Sequence, residues 1–157
     1  MKKLFINILI LLILGVCSTS YACFTDGLYP DKECTPGAIF ENITTEQMCV
    51  KGYSATVRNV PQSLKDTVYE MYNIPVAKRK GYVIDHLISL QLGGTNEIPN
   101  LFPQKSTGEI NSRTKDKIEN FLKREVCKGN MTLKKAQKII AEDWLEVLDD
   151  YNERGER

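Results

Sequence analysis

Histidine and tryptophan occur once each in this chain of 157 residues, and no long apolar run follows the one at the start. A lone histidine excludes a metal centre built from several imidazoles. The absence of any C-x-x-C pair speaks against a zinc site made by the cysteines, which stays only as an alternative. Neither charge sign dominates, with 21 Lys and Arg against 20 Asp and Glu, so a nucleic-acid partner has to be argued from local charge. There is no internal repeat, no low-complexity stretch, no recognition helix and no series of aromatics for stacking bases. A solenoid and a sequence-specific reader are both disfavoured.

The chain opens on Met1-Lys2-Lys3, continues through apolar Leu4 to Val16 and reaches Ser20-Tyr21-Ala22. A basic start, a short apolar stretch and a small-x-small site are the layout of a secretory signal peptide, assigned to residues 1–22. The run is shorter than the roughly 18–20 residues of a membrane span, although an uncleaved anchor is the alternative. Cys17 and Cys23 could instead be lipoprotein sites, but neither Leu14-Gly15-Val16 nor Ser20-Tyr21-Ala22 makes a good lipobox. A secreted or periplasmic location is expected. Cleavage after Ala22 leaves 135 residues, enough for one domain, and loss of Lys2 and Lys3 takes the formal charge from +1 to −1.

Four cysteines then remain, Cys23, Cys34, Cys49 and Cys127, an even set that fits two disulfides in an oxidising compartment. Three connectivities are open; proximity in sequence favours Cys23–Cys34, which leaves Cys49–Cys127. Residues 23–52 form a turn-rich, cysteine-containing lead-in, 53–151 the body and 152–157 a frayed tail. Within the body, 53–60 alternates weakly like a short strand or extended segment. Ser63 with Asp66 three later resembles a capping box opening a helix that Asn73-Ile74-Pro75 ends. Tyr82 to Gln91 has the residues of a strand or tight hairpin closed by Gly93-Gly94, and 95–104 is expected as a loop. A second helix is expected from Ser106 or Thr107 to about Cys127. A third runs from Thr132 with one apolar stripe from Leu133 to Tyr151. The fold class is α+β.

The one histidine, His86, directly follows Asp85 inside "YVIDHLISLQLGG". Asn100 ends the expected loop, and Asn111 lies seven residues before Ile118, a helical spacing that would turn it inward. A buried amide needs a partner, and a cation held by a carboxylate would supply one; a helix cap is the alternative. Likewise an inert, hydrogen-bonded core histidine is the alternative for His86.

Asp85-His86, Leu92-Gly93-Gly94, Asn100-Leu101 and Asn111 resemble the HNH (ββα-metal) endonucleases. "YVIDHLISLQLGGTNEIPNLFPQ", Tyr82 to Gln104, carries the closest match, while residues 23–60 barely take part. The resemblance implies a ββα-metal core of hairpin, loop and helix with flanking helices. It implies His86 as general base, Asn100 holding the loop and orienting His86, and Asp85 and Asn111 as ligands of a divalent metal. With only oxygen ligands left, Mg²⁺ or Mn²⁺ suits better than Zn²⁺; Glu109 and Asp116 are candidates for a third ligand. Gly93 and Gly94 would let the chain turn where a side chain would obstruct a phosphate backbone. Arg113, Lys115, Lys117 and Lys105, with Lys78-Arg79-Lys80, would contact phosphates, Arg113 foremost, although most can equally be solvated surface. The function implied is a secreted, metal-dependent nuclease acting on nucleic acid, DNA first, with little sequence preference. The alternative is an inactive nucleic-acid- or protein-binding module of the cell envelope.

Overall fold

The structure is a computed structural model and describes residues 22–154. The expected signal peptide, apart from Ala22, therefore lies outside the described residues, as do 155–157.

Helices α1 (Thr45–Met48), α2 (Tyr53–Val57) and α3 (Gln62–Met71) precede a two-stranded antiparallel ribbon of β1 (Tyr82–His86) and β2 (Leu101–Lys105). Helices α4 (Ser112–Cys127), α5 (Leu133–Glu142) and α6 (Leu148–Arg154) follow. Register pairs Tyr82 with Lys105, Asp85 with Phe102 and His86 with Leu101. The α+β class stands. Two packed clusters make the core. One holds Val68 of α3 and Tyr72 at its end against Leu101 and Phe102 of the ribbon and Leu87 just after β1. The other holds Ile118, Phe121 and Leu122 of α4 against Ile140 of α5, Trp144 and Met48.

Several local expectations need correction. Residues 53–57 are helical: Gly52, at φ 84°, supplies the left-handed turn that starts α2, and that turn outweighs the weak alternation. Ser63 is not a cap, because α3 begins at Gln62 behind Pro61. The strand stops at His86, and the chain then runs through short 3₁₀ turns at Leu90–Leu92 and Ile98–Asn100 before β2 takes up residues expected as loop. Helix α4 starts six residues later than Ser106, where Asn111 and Thr114 cap each other reciprocally. The stripe from Leu133 to Tyr151 is divided at Asp143, whose extended backbone ends α5 and whose carboxylate caps the next turn. Asn152 and Glu153 belong to α6, so part of the expected tail is helix.

The lead-in 23–52 is also less separate than its composition indicates. Phe40 N–H donates to Gly93 C=O, Thr95 N–H to Ala38 C=O and Gly37 N–H to Pro99 C=O, so this segment is laced to the loop between the strands. Met48 is fully buried in the main core. Both expected disulfides are present, Cys23–Cys34 across 11 residues and Cys49–Cys127 across 78. The second closes the longer loop and removes more freedom from the unfolded chain. Two disulfides fit a secreted or periplasmic protein. Among the described residues no helix is long and apolar enough to cross a membrane.

Candidate active site

Successive residues of a strand point to opposite faces, so Asp85 and His86 at the end of β1 diverge. The imidazole goes inward and is 3% exposed. Asp85 stays near the surface, its side chain 19% exposed. Its Oδ1 accepts from the His86 N–H at 2.9 Å, and its Oδ2 lies 3.2 Å from Lys115 Nζ.

Lys115 comes from the first turn of α4 and has no exposed side chain at all. Its ammonium also donates to His86 C=O at 2.7 Å and to Glu119, one helical turn on. Ser89 Oγ donates at 2.7 Å to the other Glu119 oxygen. All three ammonium donors are thus used, which is what a buried lysine requires. Burial alone would push the Lys115 ammonium down, but the charges of Asp85 and Glu119 outweigh it and hold the pKa above the ordinary lysine range. Two carboxylates share this one cation, and burial together with the Asp85 charge pushes Glu119 up.

The next residue, Asp116, lies on the exposed side of α4. Burial of its carboxyl, then the Asp85 charge, push its pKa up, while Lys115 and Arg58 pull it down. Arg58 is exposed, in the extended segment after α2, and its charge also bears on His86. Burial pushes the His86 pKa down to about 4, against the opposing effects of the Asn96 hydrogen bond and the Asp85 charge. The imidazole is therefore neutral at physiological pH.

The expected site residues divide. Asp85 and the His86 carbonyl meet α4 through Lys115. Asn100 is fully buried and staples the loop: its Oδ1 accepts from Ile88 N–H at 2.8 Å, and its Nδ2 donates to Ile88 C=O at 2.9 Å and Thr95 C=O at 2.8 Å. The residue that touches the imidazole is Asn96, whose Oδ1 lies 3.2 Å from His86 Nε2. Asn111 is a helix cap. Its Oδ1 accepts from Arg113 N–H at 2.9 Å and its Nδ2 donates to Gly108 C=O at 2.6 Å. The argument from its spacing to Ile118 fails because the helix begins after it.

Lys115 requires the plainest correction, since a fully buried ammonium with three partners offers nothing to a substrate phosphate. Arg113 is exposed and three residues before Asp116, so the two share a side of α4. Lys105 is three strand steps from the partner of Asp85, about 10 Å along the ribbon, and belongs to its far end. Gly94 has a different role from the one expected. A Cβ there would come within 1.8 Å of Ile88 C=O, so its small size serves packing inside the loop. Gly93, at φ 81°, takes the left-handed turn ahead of it.

Sequence reasoning gave no role to Asn96, Arg58 or Glu119. Asn96 stands inside the stretch that carries the resemblance, and Glu119 is four residues after Lys115, the spacing of a helical ion pair. Arg58 has no such signal. Comparisons of the chain with family models, with curated proteins and with solved structures found no match.

Proposed function

We propose that the chain is a metal-dependent endonuclease of the HNH (ββα-metal) type that hydrolyses phosphodiester bonds, in DNA first, with little sequence preference. The observation that carries this reading is the meeting of ribbon and helix. Lys115 Nζ of α4 lies 3.2 Å from Asp85 Oδ2 and 2.7 Å from the His86 carbonyl, so the partly exposed Asp85 and the exposed Asp116, the residue after Lys115, stand at this junction beside the imidazole. In this reading Asp116 takes the place expected for Asn111.

The donor set fits a hard cation. Among the described residues no group of three or more His, Cys, Asp and Glu gathers that could hold a metal, so two carboxylates would be completed by water and phosphate. Mg²⁺ and Mn²⁺ are commonly held this way. Bound between Asp85 and Asp116, such a cation would polarise the phosphate and stabilise the leaving oxygen. His86 accepts the proton of the attacking water, for which its neutral state suits it. Arg58 and Arg113, both exposed, hold phosphate oxygens. Lys105, Lys78 and Lys80, exposed at the other end of the ribbon, contact phosphates further along the same strand.

A second reading has its own support. Lys115 already neutralises Asp85, and the imidazole is 3% exposed, as in a binding module that keeps the fold without the chemistry. Plasmid nicking separates the two. The nuclease reading expects nicking with Mg²⁺ or Mn²⁺ that EDTA abolishes and that His86→Ala slows by at least about a hundredfold. A folded, disulfide-intact protein that binds DNA without nicking it supports the module.

A further inference from the structure

Every polar atom of the Asn96 side chain is engaged. Its Nδ2 donates to Val57 C=O at 2.7 Å, and its Oδ1 accepts from Asn59 N–H at 3.1 Å and faces His86 Nε2 at 3.2 Å. These partners fix which way the amide points. Turned over, its NH₂ would face the Asn59 N–H and its oxygen would face the Val57 carbonyl, two unfavourable pairs at once. An amide oxygen can only accept. Nε2 completes that contact only when it carries the hydrogen.

We infer that Asn96, seated on the Val57–Asn59 segment, holds the hydrogen of the His86 ring on Nε2 and leaves Nδ1 as the nitrogen with the free lone pair. A residue on the loop is thereby oriented by a segment outside the ribbon-loop-helix unit, and it passes that orientation to the ring. Both neighbours of Arg58 hold Asn96, so the same two hydrogen bonds fix the backbone from which Arg58 projects.

Resting on the hydrolytic reading, the lock also assigns the base nitrogen. The Nδ1 lone pair takes the proton as the water O–H bond breaks. The electron pair of that bond stays on oxygen, which attacks phosphorus as the bond to the leaving sugar oxygen breaks; that oxygen departs with the bonding pair and takes a proton from solvent, while the imidazolium charge is shared with Nε2–H, whose bond to Asn96 Oδ1 strengthens. Asn96 is a positioning residue and touches no substrate.

Because His86 is the only histidine, the ring-nitrogen spectrum of the ¹⁵N-labelled, disulfide-bonded protein needs no assignment. Near neutral pH the wild type is expected to show a protonated Nε2 with a slowly exchanging proton and an unprotonated Nδ1. A proton on Nδ1, or a rapidly averaging pair, overturns the lock. In Asn96→Ala the protected proton is expected to vanish and the two nitrogens to average. The turnover number in plasmid nicking should fall on the order of tenfold to a hundredfold with KM unchanged. A protected Nε2–H that survives this change overturns the role of Asn96. Should the alanine variant not fold, Asn96→Asp keeps the acceptor while losing the donor to Val57 C=O; Nε2 is still expected to carry a hydrogen there, and an Nε2 without one overturns the proposal. The wild-type spectrum requires no activity, so a locked Nε2–H in a protein that nicks nothing would remove the hydrolase reading and leave the lock standing.

Discussion

Lys115 and Asp116 are adjacent on α4, yet about 100° of helical turn puts one wholly inside the protein and the other at its surface. Inside, an ammonium ties Asp85, the His86 carbonyl and Glu119 into a closed network that fastens the helix to the ribbon. Outside, the carboxylate of Asp116 is exposed on the surface of the helix. Asp85 belongs to both settings. Its Oδ2 meets Lys115 while its side chain remains partly exposed, so the network that builds the fold also sets the position of a candidate ligand. Charge placed inside is structural and fully paired; charge left at the rim is available for a partner.

The sharpest way to break this contrast is at Lys115. Lys115→Met leaves two carboxylates without their cation and is expected to destabilise the fold by about 3–5 kcal/mol in urea titration. Adding Glu119→Leu should recover a large part of that loss, and a double-mutant cycle measures how much. If Lys115→Met alone cost no more than about 0.5 kcal/mol, typical of surface positions, the network would not be holding the helix.

Acid tests the buried imidazole next. The folded pKa of His86 is pushed down to about 4 from 6.5. Between those values the unfolded chain binds more protons, so this contribution is complete above 6.5 and is lost as pH falls towards 4, by up to roughly 3 kcal/mol. Glu119 and Asp116, pushed up by burial, act with the opposite sign over their own windows. The difference between wild type and His86→Asn in pH-dependent urea unfolding therefore isolates the histidine. Equal slopes for the two would show that the ring is not buried in the neutral form.

At the rim the effects should pass from stability to activity. Asp116→Asn is expected to change unfolding by less than about 0.5 kcal/mol while lowering Mg²⁺-dependent nicking by at least about a hundredfold. Smallest of all is Asn111→Ser, which keeps a capping hydroxyl and should shift stability by only a few tenths of a kcal/mol, roughly, in the same titration. A loss of nicking in a fully folded Asn111→Ser protein would restore Asn111 as a ligand.

What could be read from sequence follows the range of the interactions concerned. The Asn100 loop staple and both cysteine pairs depend on short stretches or on simple parity, and the structure has them. Asp85-His86, expected within a strand or hairpin reaching Gln91, stands instead at the strand's end. A cap decides where the sequence reading and the structure part: at Asn111 it moves the helix start and so the phase on which the face argument rests, and at Gly52 a left-handed residue opens a helix where weak alternation indicates an extended segment. Lys115, expected to contact phosphate, carries no sign of its burial in the sequence, because a buried lysine looks like any other until its partners are known. Asp85 lies 30 positions before it and Ser89, the further partner of Glu119, also comes from the loop side. Asn96 meets the segment that carries Arg58 through the Val57 carbonyl and the Asn59 N–H, backbone groups that a sequence does not display.

Titration of Mn²⁺ into the metal-free protein, followed by electron paramagnetic resonance, tests the claim that Asp85 and Asp116 share a cation. The account predicts one Mn²⁺ per chain, displaced by Mg²⁺ and weakened at least about tenfold by Asp116→Asn while Lys117→Ala has no effect. A site indifferent to Asp116→Asn, or no binding to the folded protein at millimolar Mn²⁺, would contradict it.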